Sequence, residues 1–239
     1  GNEGEQIITA FSEPASSYGQ EIEKKYNIIT SLEGARGTVE LKENKDAVIW
    51  IDLDGDDTTA NENEKEEFTS TFEYDDLYKA VKIIESDKFQ HYGVFLDGKI
   101  GVFDSYMYEN NEWTGDGMSI LVEQSSEINY SDFDGVYNFI DVDSDIGTIS
   151  LSNTGEEGME FIINVTGENG PFVDDTIDVS TFKNEEGLIL FESDISELEN
   201  KWYMMLVPDN NKKILVLGTQ DSNVFGGEEP GGIFIGIEQ

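Results

Sequence analysis

The chain has 239 residues, with 52 Asp and Glu against 14 Lys and Arg, for a formal net charge of −38. Such a field repels phosphate backbones and anionic headgroups, which excludes nucleic acid and anionic membrane surfaces as partners. The absence of cysteine excludes disulfides and thiolate metal sites, and no apolar run reaches the 18 or more residues of a spanning helix.

The excess of acid leaves three origins open: solubility in salty surroundings, divalent-cation binding, or mimicry of a polyanion. With 14 Phe, 10 Tyr and 3 Trp the chain has the material for packed cores. It opens on GNEGEQ without an initiating Met. The expectation drawn from this is a removed leader and an exported protein: extracellular, periplasmic or lipid-anchored at the cell surface.

Taken in chain order, the first clear element starts at Tyr26 in YNIITS. GTVELK follows, with Val39 and Leu41 on one face and Thr38, Glu40 and Lys42 on the other, the period of a half-buried strand. In the next strand Ile49, Ile51 and Leu53 point inward, with Val48, Trp50 and Asp52 outward. LYKAVKIIES has helical character alone, but its counterpart later in the chain, GLILFES, has little, so both are read as strands. GVFLDGKIGVF sets Asp97-Gly98 between apolar runs, a hairpin signal. SYMYENNEWTGDG reads as an aromatic, polar loop, and MSILVEQ closes the half with Met118, Ile120 and Val122 on its inward face.

The second half repeats this order. Tyr137 opens YNFIDVDSDIG, and GTISLS sends Ile149 and Leu151 inward as Val39 and Leu41 go. Ser70-Thr71-Phe72 recurs as Ser180-Thr181-Phe182, and the terminal IFIGIEQ matches MSILVEQ. A helical turn fits Ser193–Asn200, capped by Ser193. The expected fold is all-β: two similar antiparallel meander domains, barrel or sandwich, arising from internal duplication. Residues 1–124 form the first, its initial twenty or so extended; 125–132 form a linker, and 133–239 the second. A single larger sandwich is the alternative.

FDGVYNF, with Gly135-Val136-Tyr137, resembles the opening of lipocalin-like barrels, which carry Gly-x-Trp on their first strand. Tyr stands here in place of Trp, and the first half has Lys24-Lys25-Tyr26, without the Gly. The resemblance implies a barrel with a cavity or a partner-binding rim, and names no ligand.

Catalytic machinery is scarce. His91 is the only histidine; it reads either as a general base or as a core-edge residue with one hydrogen bond, and no nucleophile motif accompanies it. The sequence lacks G-x-S-x-G, a phosphate-cradling loop and a zinc-type His pair. IWIDLDGDD places Asp52, Asp54, Asp56 and Asp57 around Gly55, a candidate calcium site. Counted as an EF-hand from Asp52, position 6 is Asp57 instead of Gly and position 12 is Asn63 instead of Glu, so any ion would be held in a looser oxygen cage. Asp141–Gly147 is a second, similar candidate. No cofactor is expected beyond that calcium.

Aligning Ile51–Asp57 with Ile163–Asn169 keeps the glycine and the apolar positions but loses most aspartates. It also places Ile162 where Trp50 stands, a large apolar residue on an outer face in both halves. A covering layer, contact between the two repeats, or a partner would account for that. Tyr106, Tyr108 and Trp113 suit contact with protein or glycan, or closure of a barrel end. The resulting expectation is a non-enzymatic, exported binding or surface protein, its partner an unknown protein, a glycan or a small apolar ligand. A lipocalin-like carrier, a calcium-stabilised adhesive module and a two-carboxylate hydrolase are the alternatives.

Overall fold

The computed structural model describes residues 22–31, 36–52, 65–75, 80–141, 145–154, 158–167, 170–178, 180, 182–193, 200–208, 212–219 and 232–239. These fall into two compact units that divide between Gln124 and Ser125. Both units are all-β and antiparallel, as expected.

The first unit is a closed eight-stranded meander: β1 (Lys25–Thr30), β2 (Arg36–Leu41), β3 (Asp46–Asp52), β4 (Lys65–Asp75), β5 (Ala80–Ile84), β6 (Phe89–Leu96), β7 (Ile100–Glu109) and β8 (Glu112–Glu123). β1 pairs with both β2 and β8, so no edge remains. LYKAVKIIES does supply a strand, β5. At the β6–β7 hairpin both Asp97 and Gly98 take positive φ, the conformation Gly accepts without steric cost. Tyr26, Ile28, Val39, Leu41, Ile49, Phe72, Val81, Ile83, Phe95, Phe103 and Leu121 build the core.

The second unit is a nine-stranded sheet: β9 (Gly135–Asp141), β10 (Ile146–Asn153), β11 (Met159–Val165), β12 (Val173–Ile177), β13 (Lys183–Glu185), β14 (Leu188–Ser193), β15 (Asn200–Pro208), β16 (Lys213–Thr219) and β17 (Ile233–Glu238). Its order is β12-β11-β10-β9-β17-β16-β15-β14-β13. GLILFES is strand β14. A short 3-10 turn, Tyr130–Phe133, leads into β9. Ile128 is buried in this unit's core and its carbonyl accepts Asn184 Nδ2 at 2.8 Å, so the segment 125–132 packs on the second unit. The helical turn expected over 193–200 falls mostly outside the described residues.

Strand register establishes the duplication residue by residue. Tyr26 pairs with Val39 and Glu123, and Tyr137 with Ile149 and Glu238. Both tyrosines are fully buried, and each hydroxyl donates to the carbonyl four residues earlier: Tyr26 to Ile22 at 3.1 Å, Tyr137 to Phe133 at 2.7 Å. Gly37 and Gly147 are also equivalent. A Cβ on Gly37 would fall on the carbonyl oxygen of Trp50, and one on Gly147 on that of Asn164.

The register corrects the sequence alignment by two residues. Val39 faces Ile49 and Ile149 faces Ile163, so Ile49, not Ile51, is the counterpart of Ile163. Trp50 therefore corresponds to Asn164, and Ile162 to Val48. The cause is hairpin length: five residues separate the Leu41–Ala47 pair, nine the equivalent Leu151–Phe161 pair. A shift of two preserves the face, which is why the inward pattern looked right.

A second correction concerns β8. Leu121 belongs to the core and shares its face with Glu123, which opposes inward Tyr26; Met118, Ile120 and Val122 lie on the other face. Ile120 and Val122 are nonetheless buried, so apolar character on both faces hid the alternation.

The units differ at one strand. β4 pairs with β3 through residues 65–71 and with β5 through 71–75, handing over at Ser70-Thr71-Phe72. In the second unit that strand is divided: β12 pairs with β11, β13 pairs with β14, and Ser180 and Phe182 of the matching segment lie between them. The Asp178 carboxylate accepts the Ser180 N–H at 2.8 Å, turning the chain there. Hydrogen bonds from the Ser180 hydroxyl and amide hold that carboxyl below its usual range.

Candidate functional site

In the first barrel the ends of β1, β3, β5 and β7 and the starts of β2, β4, β6 and β8 lie on one side, here the upper rim; the opposite ends of the eight strands form the floor. The floor is aromatic. Tyr26 packs tilted against Phe95, and Phe95 edge-on against Phe103, with centroids 5.1 and 5.4 Å apart. Glycines make room for them: a Cβ on Gly93 would fall against the Phe103 ring, and one on Gly101 would lie 2.7 Å from Phe95.

Above this floor the inward residues turn polar. Six neighbouring strands contribute one each: Ser70 from β4, Glu85 just past β5, His91 from β6, Ser105 from β7, Ser119 from β8 and Thr30 from β1. Ser70 and Glu85 follow the Thr71–Ile84 pair in register. His91 opposes Ser105 directly, and Thr30 opposes Ser119. All four hydroxyl residues are buried.

His91 Nδ1 lies 2.9 Å from Ser105 Oγ, and His91 Nε2 lies 3.2 Å from Glu85 Oε2. The histidine side chain is 14% exposed, and Phe89 packs edge-on against it at 5.0 Å. It is thus a wall residue with two polar partners, more deeply integrated than the one-bond edge histidine expected. Ser70 Oγ is buried and makes no hydrogen bond, which costs about 1–3 kcal/mol for a group excluded from water.

The same positions in the second unit are filled with rings. Following the paired strands, His91 corresponds to Trp202, Ser105 to Thr219 and Ser119 to Phe234. Ala47 corresponds to Phe161, Ile28 to Phe139 and Ile83 to Phe191. Trp202 packs at 5.2 Å from Phe161 and stacks parallel to Phe191 at 6.3 Å. At these positions one copy carries rings where the other carries polar or smaller apolar side chains.

Of the residues singled out from sequence, Tyr106, Tyr108 and Trp113 come together, on a strand ribbon and not in a loop. β7 and β8 run on past the rim and turn at Asn110-Asn111, both at positive φ. Tyr108 packs on Trp113 at 5.1 Å, and Tyr106 packs edge-on against Tyr92 at 5.8 Å. A hydrogen bond with Asp104, then burial, pushes the Tyr106 hydroxyl up to about 12. Beside the ribbon an open depression of about 550 Å³ is lined by Lys88, Phe89, Met107, Tyr108, Glu109, Asn110 and Asn111. Phe89 lines this depression and touches His91, so the depression lies beside the polar wall.

Trp50 is half-buried on the outer face of β3, with the Arg36 guanidinium 5.7 Å from its ring centroid. It stands four strands away from β7 and is not part of the ribbon cluster. Ile162 is half-buried on β11. Of the candidate calcium ligands, the Asp52 side chain and all of Asp54, Asp56 and Asp57 lie outside the described residues. In the second candidate, buried Asp141 accepts the Asp145 N–H at 2.8 Å through Oδ1, and 142–144 lie outside. Among the described residues no three His, Asp or Glu converge as a metal cage would require. No described helix is long and apolar enough to cross a membrane.

No family model matches the chain, and no curated protein does. Among solved structures, a protein of unknown function from the DUF3598 family of Nostoc punctiforme is similar over 92% of this chain and 97% of its own. The TM-score is 0.32 and the identity 10%.

Proposed function

We propose that this protein is a non-enzymatic binding protein whose ligand occupies the upper half of the first barrel. The observation that carries the reading is the contrast between copies. Positions that hold Trp202, Phe234 and Phe161 in one unit hold His91, Ser119 and Ala47 in the other. An eight-stranded barrel is just wide enough to be filled by its side chains or to hold one small ligand. Replacing three large rings with small or polar groups moves this barrel toward the second state. The lipocalin-like resemblance of Gly135-Val136-Tyr137 agrees with a carrier barrel, although the polar wall lies in the copy that lacks the glycine.

The Ser105–His91–Glu85 contacts resemble a hydrolytic relay, but binding fits them better. The backbone of Ser105 is paired with His91 on β6 and with Gly117 on β8, so it offers no free amides converging on an oxyanion.

The test uses benzyl alcohol as a neutral probe and amide chemical shifts as the readout. Saturable changes at His91, Ser105 and Ser119 are expected below about 10 mM, a range that captures a Kd near 1 mM. Refilling the chamber on the pattern of the second unit, with His91→Trp and Ser119→Phe together, should abolish them. Absence of any localised change in the native protein would refute the reading.

A further inference from the structure

Resting on that binding reading, we propose that the first barrel selects a small primary organic amine in its ammonium form. The chamber wall is rich in acceptors. Ser70, Ser105, Ser119 and Thr30 present hydroxyl oxygens and Glu85 presents a carboxylate, all from inward positions. Among the described residues no Lys or Arg occupies an inward position at this end; Lys88 lies exposed on the β5–β6 connection. Glu85 brings a formal negative charge to this wall, and one of its oxygens contacts His91.

Ser70 supplies the second, independent observation. Its side chain is 4% exposed, shares the inward face of β4 with Phe72, and its Oγ has no partner. A buried hydroxyl on a ligand-facing wall is satisfied when the ligand brings a polar hydrogen. An ammonium group carries three such hydrogens and no lone pair, so it suits a wall of acceptors. Phe89 and Phe103 offer ring surface that favours a cation and accommodates its apolar body. The whole-chain charge of −38 concentrates cations around the molecule and excludes small anions.

Three probes of one shape decide the matter: benzylamine, benzyl alcohol and benzoate, titrated at neutral pH and physiological salt while amide shifts are followed. Benzylamine should bind in the chamber about tenfold more tightly than benzyl alcohol, as a charge-assisted hydrogen bond to a half-buried carboxylate implies. Benzoate should leave the chamber unperturbed. Glu85→Gln should remove most of benzylamine's advantage over benzyl alcohol, and Ser70→Ala should weaken the amine several-fold. If benzyl alcohol enters the chamber as tightly as benzylamine, the amine assignment is overturned and the binding barrel stands. If neither enters, both fail. Amine shifts confined to exposed carboxylates and abolished by salt would mark surface attraction and likewise overturn the assignment. Because the probe series is read on the native protein, the outcome does not depend on the variants folding.

Discussion

Tyr137→Phe tests the buried tyrosine that both repeats share. The hydroxyl donates to the Phe133 carbonyl at 2.7 Å from a fully buried site. Removing it should cost about 1 kcal/mol near neutral pH, the net value of a typical buried hydrogen bond. For a unit of this size that is a fall of about 4–8 °C in melting temperature. The alkaline range then reverses the comparison. Burial first, and then the charges of Glu238 and Asp134, raise this phenol far above its ordinary value. The unfolded tyrosine loses its proton near pH 10, while the folded one keeps it. The folded state therefore binds more protons between those values, and stability falls as pH rises, by up to about 1.4 kcal/mol per pH unit. The phenylalanine variant lacks this loss. Its melting temperature, followed by circular dichroism from pH 7 to 11.5, should start below the native protein's and meet or pass it about one unit above pH 10. Lysine titration is common to both proteins and cancels in the difference. Curves that stay parallel across the alkaline range would show that the hydroxyl titrates normally, and the buried-donor reasoning would be refuted.

Gly37→Ala and Gly147→Ala should each cost about 3 kcal/mol or more, because the added methyl meets rigid sheet backbone at the Trp50 and Asn164 carbonyls. Urea titration checks both, and loss of soluble protein counts as agreement; a cost below about 1 kcal/mol at either site would contradict the shared close approach. Trp202→Ala should destabilise the second unit by about 3–5 kcal/mol, as for a large buried ring. His91→Ala, at the equivalent position, should cost the first unit clearly less, since it removes two polar contacts and little apolar bulk. Asn111→Gly should stabilise the β7–β8 hairpin by a few tenths of a kcal/mol to about 1, because Asn111 sits at φ 68; thermal melts of the two proteins side by side measure this.

Much of the architecture was legible because strands announce themselves locally. Val39 and Leu41 against Thr38 and Glu40 state their faces within six residues, and Asp97-Gly98 states its turn within two. The aromatic cluster of Tyr106, Tyr108 and Trp113 was visible, but not that it rides on a ribbon, since Asn110-Asn111 was one polar pair among many. The alignment slipped by two residues at Trp50 because a longer hairpin in the second copy leaves the period-2 pattern intact.

The polar wall was not legible at all, apart from His91. Ser70, Glu85, Ser105, Ser119 and Thr30 are common residue types on separate strands, and no local pattern singles them out. Nor did the pairing of His91 with Trp202 show before the strand registers were known.

The sequence by itself determined that this is a duplicated, all-β, strongly acidic protein, because alternation, turn chemistry and charge are properties of neighbouring residues. Only the tertiary structure decided that one copy closes along a continuous β4 while its counterpart breaks at Ser180. It alone assembled six polar side chains on the inner wall of the first barrel, since closure brings β1 beside β8 and sets distant residues face to face.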